Sequence, residues 1–114
     1  MEKKRVLVEF GMGTSLRRED YTEAAARAIR DALWHNSVNM AELFGFEKTD
    51  MIVDVEIAVQ QPDQVDTSQL AKDFPYGNIS FVVKHGGLDI DKPHGGKTLI
   101  ANVAIAVSFM MEAA

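Results

Sequence analysis

The chain has 114 residues, a length that fits one domain, which we assign to residues 1–114. Its net charge of −5 argues against nucleic-acid binding, because phosphate recognition needs a basic surface. The absence of cysteine excludes disulfides and thiolate chemistry and predicts a cytoplasmic protein. The first apolar run ends by Gly11, too early for a signal peptide or a membrane span.

The first half of the chain predicts one strand and one long helix. Residues Val6 to Phe10 read as the strand, and glycines punctuate the segment from Gly11 to Asp20. The helix is expected to begin at Asp20, which has capping-box spacing, and to stop near Asn36-Ser37. A short helical turn is predicted from Met40 to Gly45.

The second half predicts three strands and a short helix. The last strand contains alanines that also favour a helix, but its β-branched residues alternate with small ones, which favours a strand. Glycine pairs bracket a loop before it. The predicted elements are the strand Met51 to Gln60, the helix Thr67 to Asp73, the strand Asn78 to His85 and the strand Thr98 to Met110.

This order, β-α-β-α-β-β, predicts an α+β fold with a mixed four-stranded sheet and both helices on one face. Alternation assigns Val6, Val8 and Phe10 to the face under the helices. The other face would carry Glu9, Glu56, Lys84 and Asn102 together with apolar residues. Because those apolar residues need cover, we expect a homo-oligomer with this face at the seam between copies.

The order of elements resembles the Bacillus-type chorismate mutase fold, which the YjgF/RidA family shares. The resemblance implies a trimer with sites in the clefts between subunits. A remoter likeness to ring-opening amidohydrolases that act on cyanuric acid and barbiturate implies small cyclic amides as ligands.

A closer match concerns short segments that follow one another along most of the chain. They are Phe10-Gly11-Met12-Gly13, Asp20-Tyr21-Thr22, Ala25 to Arg30, Asn36-Ser37, Phe74-Pro75-Tyr76-Gly77, Gly86-Gly87 and Ile100-Ala101-Asn102. On these segments the chain resembles a conserved family of unknown function, known through a Lin-type listerial member. It departs from the family pattern at Ser15, Arg17, Arg18 and Glu19, where Asp, His, Gly and Gln are expected.

The glycine-punctuated segment is the first candidate site. Glycines let a ligand approach the backbone, and arginines grip carboxylate or phosphate with two hydrogen bonds. The alternative is a sharp connection whose charges are solvated. The predicted ligand-binding residues are Gly11, Gly13, Ser15, Arg17, Arg18, His85 and Asn102.

Acidic residues beside a lysine form the second candidate. The predicted catalytic residues are Glu9, Glu56 and Lys84, because crowded carboxylates can act as a general acid or base. The alternative is an ion-pair network at a subunit seam. The histidines match no metal-ligand spacing, so we predict neither a metal nor a cofactor.

The predicted function is binding of a small anionic or amide ligand at a subunit interface, with a hydrolase or lyase as the enzymatic form. The alternative is a non-enzymatic metabolite-binding or structural module. The predicted partners are further copies of the chain, three by the first resemblance, and the small molecule, but no nucleic acid and no membrane.

Overall fold

The computed structural model describes residues 1–34, 45, 47–74 and 77–112. The predicted end of the first helix at Asn36-Ser37 lies outside these residues, as does all but the last residue of the predicted turn from Met40 to Gly45. The main elements are β1 (Glu2–Ser15), α1 (Tyr21–Trp34), β2 (Ile52–Val59), α2 (Thr67–Leu70), β3 (Asn78–His85), β4 (Leu88–Asp91) and β5 (Lys97–Met111). Short 3-10 turns cover Lys48–Asp50, Pro62–Gln64 and Ala71–Asp73.

The strands form one mixed sheet in the order β1-β5-β2-β3. The long strand β5 is antiparallel to β1 on one side and to β2 on the other, and β2 is parallel to β3. Beyond the end of β2, the same side of β5 pairs with β4. This arrangement confirms an α+β fold with a mixed sheet and two helices, but the sheet has five strands rather than four.

The helices cover one face of this sheet and form the core with it. Helix α1 begins where the Asp20 carboxylate accepts a hydrogen bond from the Glu23 backbone amide at 3.1 Å. Its stripe of fully buried alanines lets the helix lie close to the strands, and α2 adds the buried Leu70. The buried core of this face contains Tyr21, Ala24, Ala25, Ala28, Ile29, Ala32, Val53, Val55, Ile57, Val59, Leu70, Leu99, Ala101, Val103 and Ile105.

The glycine-punctuated segment is part of β1 rather than a turn. A Cβ at Gly11 would lie 2.2 Å from the Ala28 carbonyl oxygen, and one at Gly13 would lie 2.2 Å from the Ala28 amide nitrogen. These glycines therefore allow α1 to pack against the strand, and they do not open space for a ligand. The connection to the helix is confined to residues 16–20.

Strand β1 also presents the opposite faces from those predicted. Residues directly opposite in an antiparallel pair share a face, and Glu9 is opposite the buried Ile105. Glu9 therefore lies on the helix-covered side, while Phe10, opposite Ala104, lies on the other side and is 70% exposed. The glycines determine which face of β1 lies under the helix, because α1 is too close to the strand for a side chain at Gly11 or Gly13. A register shift between Arg5 and Leu7 inserts one extra residue into β1. The alternation of faces before this shift is therefore offset by one residue from the alternation after it.

The fifth strand, β4, falls in the segment predicted as a loop. It has only four residues, and glycines flank it closely, so its alternation of apolar and acidic residues was too short to identify. Leu88 and Ile90 are opposite Ile100 and Thr98 of β5.

The molecule is long and narrow, with extents of 56 × 23 × 22 Å and a radius of gyration of 15.6 Å. A compact domain of this length has a radius of gyration of roughly 13 Å. In the part of the chain that the structure describes, no helix is long and apolar enough to cross a membrane.

Candidate functional site: the open face of the sheet

The face of the sheet away from the helices is called the open face. Each of its rows crosses the strands through residues that pair directly with one another. The two central rows are Phe10–Ala104–Glu56–Val82 and Met12–Asn102–Ala58–Lys84, and the next row is Val8–Ala106–Asp54–Ser80.

The middle of the open face is a trough with a floor of small side chains. Ala104 and Ala106 of β5 lie between larger side chains on β1 and on the β2–β3 pair. One part of this trough is a depression of about 200 Å³, lined by Phe10, Glu56, Lys84, Asn102 and their neighbours. A continuous part of about 310 Å³ extends towards Arg5, Asp54 and Ser80. Its shape follows from strand pairing, since small residues sit in register on the central strands.

Charged and polar groups line the depression. The Lys84 ammonium pairs with the Glu56 carboxylate, and both side chains remain more than half exposed. Asn102 is also exposed, so its amide is accessible to a ligand. An ammonium group and an amide can donate to a carboxylate or an amide carbonyl, and the Glu56 carboxylate can accept from an N–H group. The exposed ring of Phe10 offers an apolar wall.

Further along the trough, a second ion pair joins Lys3 to Asp54 at 2.7 Å. These groups are half exposed, so the pair contributes little to stability, about 0–1 kcal/mol. Together with the Glu56–Lys84 pair, it pairs four charged groups of the open face within one copy of the chain, while Arg5 lies on the same face outside both pairs.

Three of the predicted site residues therefore come together on this face, and the others do not. Glu56, Lys84 and Asn102 share the depression. Glu9, Gly11 and Gly13 lie on the helix-covered side. Ser15 is fully buried there, and its hydroxyl accepts the Asp20 amide at 3.1 Å, so as it stands it cannot orient a ligand.

Arg17 and Arg18 lie elsewhere, in the connection between β1 and α1. They line a shallow groove of about 390 Å³ with Leu16, Glu23 and Arg27. Glu23 takes up part of this positive charge, since its carboxylate lies 3.2 Å from the Arg27 guanidinium and 3.7 Å from that of Arg18. The groove is thus a separate surface with partly compensated charge.

His85 is exposed at the end of β3. It is paired with the buried Val59, which assigns it to the helix-covered side of the sheet rather than to the depression. Within the described ranges, no three histidine, aspartate or glutamate side chains are grouped closely enough to hold a metal ion.

One polar pair on the helix-covered side was not identified from the sequence. The hydroxyl of Tyr21, only 7% exposed, donates to the Asp89 carboxylate of β4, whose second oxygen is buried without a hydrogen-bond partner. Burial, and then the hydrogen bond to Asp89, raises the pKa of Tyr21 to about 12. The pair ties the β4–β5 hairpin to the start of α1. No local signal could have found it, because 68 residues separate its members.

The fold and the open face define a small α+β protein with helices on one side of a mixed sheet. The family model of a conserved hypothetical protein, Lin0512_fam, matches residues 5–107, and the chain belongs to this family. The predicted family is thereby confirmed.

A solved structure with the same fold comes from Nostoc punctiforme and is described as an FtsZ-like protein of unknown function. It is 31% identical to this chain over 97% of the chain and 99% of its own length, with a TM-score of 0.88. No curated protein matches the chain.

Proposed function

We propose that the chain is a homo-oligomeric protein that binds a small anionic or amide-bearing molecule in the trough of the open face, where a second copy closes the site. The observation that carries this proposal is the grouping of Glu56, Lys84 and Asn102 beside the exposed ring of Phe10. A concave site with a few convergent polar groups is the usual form of a small-molecule site. Alone, the trough is shallow, so a ligand needs further cover.

The depression suits a ligand with both acceptors and donors. Lys84 and Asn102 would donate to carboxylate or carbonyl oxygens, while Glu56 would accept from an amide N–H. The resemblance of the sequence to the chorismate mutase fold implies three copies, and its remoter likeness to ring-opening amidohydrolases implies small cyclic amides as ligands. If the protein is a hydrolase or lyase, Glu56 is the general base and Lys84 the group that positions it and stabilises developing negative charge.

The experiment measures binding of three probes, inorganic phosphate, malonate and barbiturate, by thermal shift and titration calorimetry. At least one probe is expected to bind, and Lys84→Met is expected to weaken that binding by about ten-fold or more, because a charged hydrogen bond is lost. Lys72→Met is the matched control, since Lys72 is an exposed lysine away from the open face. Equal losses in both variants, or no binding by any probe, would refute the proposed site.

The second candidate is a structural oligomeric module without a ligand. It is favoured by the charge pairs Lys3–Asp54 and Glu56–Lys84, which pair four charged groups of the open face within one copy. In that case Lys84→Met would change the stability of the oligomer, and no probe would bind to either protein.

A further inference from the structure

The open face is divided into two chemically different parts. Its rows at the β4–β5 hairpin are Thr14–Ile100–Leu88 and Thr98–Ile90, followed by Met12 in the next row. Among the described residues of these two rows none is charged, because Asp89, Asp91 and Lys97 have the opposite parity and lie on the other side of the sheet. We define the hairpin patch as Met12, Thr14, Leu88, Ile90, Thr98 and Ile100.

The hairpin patch is exposed to an unusual degree for apolar side chains. Met12 is 55% exposed, Leu88 57% and Ile90 47%. Contiguous exposed apolar surface of this kind marks an interaction site in soluble proteins. By contrast, the charged groups Lys3, Arg5, Asp54 and Glu56 lie in other rows of the open face, and Lys84 shares the row of Met12 but lies at its far end, on β3.

The accessible surface of the chain is larger than that expected for a compact monomer. Its accessible surface is 7027 Å². A compact monomer of this mass exposes roughly 6200 Å². The excess, about 800 Å², is comparable to what each partner buries in an interface of standard size. The elongated shape of the molecule agrees with this excess.

From these observations we infer that the hairpin patch is the surface through which copies of this chain meet, with identical patches converging around a symmetry axis. A second copy fits because an uncharged patch can face itself without local repulsion, although a net charge of −5 makes two copies repel overall. The patch borders the depression at Met12 and Asn102, so the partner's patch would supply the missing wall of the site. This inference rests on the homo-oligomer of the proposed function but not on its ligand.

The experiment compares Leu88→Asp with Leu16→Asp by light scattering over a range of concentrations. The two leucines have similar exposure, 57% and 52%, but Leu16 lies in the β1–α1 connection, outside the hairpin patch. Leu88→Asp is expected to raise the dissociation constant of the assembly on the order of 100-fold or more, since each copy loses a leucine that the proposed interface buries. Leu16→Asp is expected to leave it unchanged.

Circular dichroism establishes that each variant is folded, and Ile90→Ser replaces Leu88→Asp if the latter is not. An assembly that survives the folded hairpin variant, whichever of the two it is, overturns this inference but leaves the proposed ligand site standing, which Lys84→Met tests independently. A chain that is monomeric at every concentration overturns both the inference and the proposed homo-oligomer. Loss of assembly in both Leu88→Asp and Leu16→Asp also overturns the inference, because the effect would then not be specific to the hairpin patch.

Discussion

Replacing Gly13 by alanine tests whether the glycines of β1 serve helix packing. The added Cβ would lie 2.2 Å from the Ala28 nitrogen and 2.3 Å from the Ala24 oxygen, about 1 Å short of the 3.4 Å at which ordinary contact begins. Both atoms belong to the helix backbone, so no side chain can rotate away. Helix α1 must therefore move off a fully packed core.

Overpacking of a core costs about 1–3 kcal/mol and occasionally more, and an obstruction by backbone belongs at the upper end. We expect Gly13→Ala to lower the free energy of unfolding by about 3 kcal/mol, measured by urea denaturation followed by circular dichroism. Leu16→Ala is the control, since its side chain is 52% exposed and lies outside both the core and the hairpin patch, and it should cost less than about 1 kcal/mol. A loss below 1 kcal/mol for Gly13→Ala would refute the packing role of Gly13 and would again favour its predicted role in binding a ligand.

Three further predictions concern the polar contacts. Tyr21→Phe should cost about 1–2 kcal/mol in urea denaturation, because the half-buried Asp89 carboxylate then loses the hydroxyl that donates to it; a loss under 0.5 kcal/mol would contradict this. Because the pKa of Tyr21 is raised to about 12, the stabilising effect of its hydroxyl is present below pH 10 and is lost as the pH rises towards 12. The difference in unfolding free energy between wild type and Tyr21→Phe should therefore be smaller at pH 11 than at pH 9. Hydrogen bonds from the hydroxyl and amide of Ser68 lower the pKa of Asp66, the residue that caps α2. Acidification below pH 4 should therefore remove the stabilising contribution of this cap from the wild type, while Asp66→Ala, which lacks the cap at every pH, should show no such loss.

The core strands were predictable because their residues alternate with period two over eight or more positions. Segments such as Val53 to Val59 and Leu99 to Val107 place a β-branched or large apolar residue at nearly every second position, and the structure buries those positions. The alanines of α1 recur at helical spacing, and the structure buries them, so this helix was equally predictable. Glu56, Lys84 and Asn102 were placed together correctly for the same reason.

What failed was the assignment of β1, and with it the position of Glu9 and of the glycine segment. Val6, Val8 and Phe10 are apolar and alternate, so local pattern favours burying them. The bulge beyond Arg5 and the packing of α1 on Gly11 and Gly13 reverse that choice, and neither is visible in the strand itself.

The sequence by itself determined the family, the α+β class and the faces of the central strands, because each is a matter of local periodicity or short motifs. Only the tertiary structure decided which side of β1 faces the helices, that Ser15 is buried, and that Tyr21 reaches Asp89. Those outcomes depend on how closely one particular helix approaches one particular strand, and that distance is set by contacts between residues far apart in the chain.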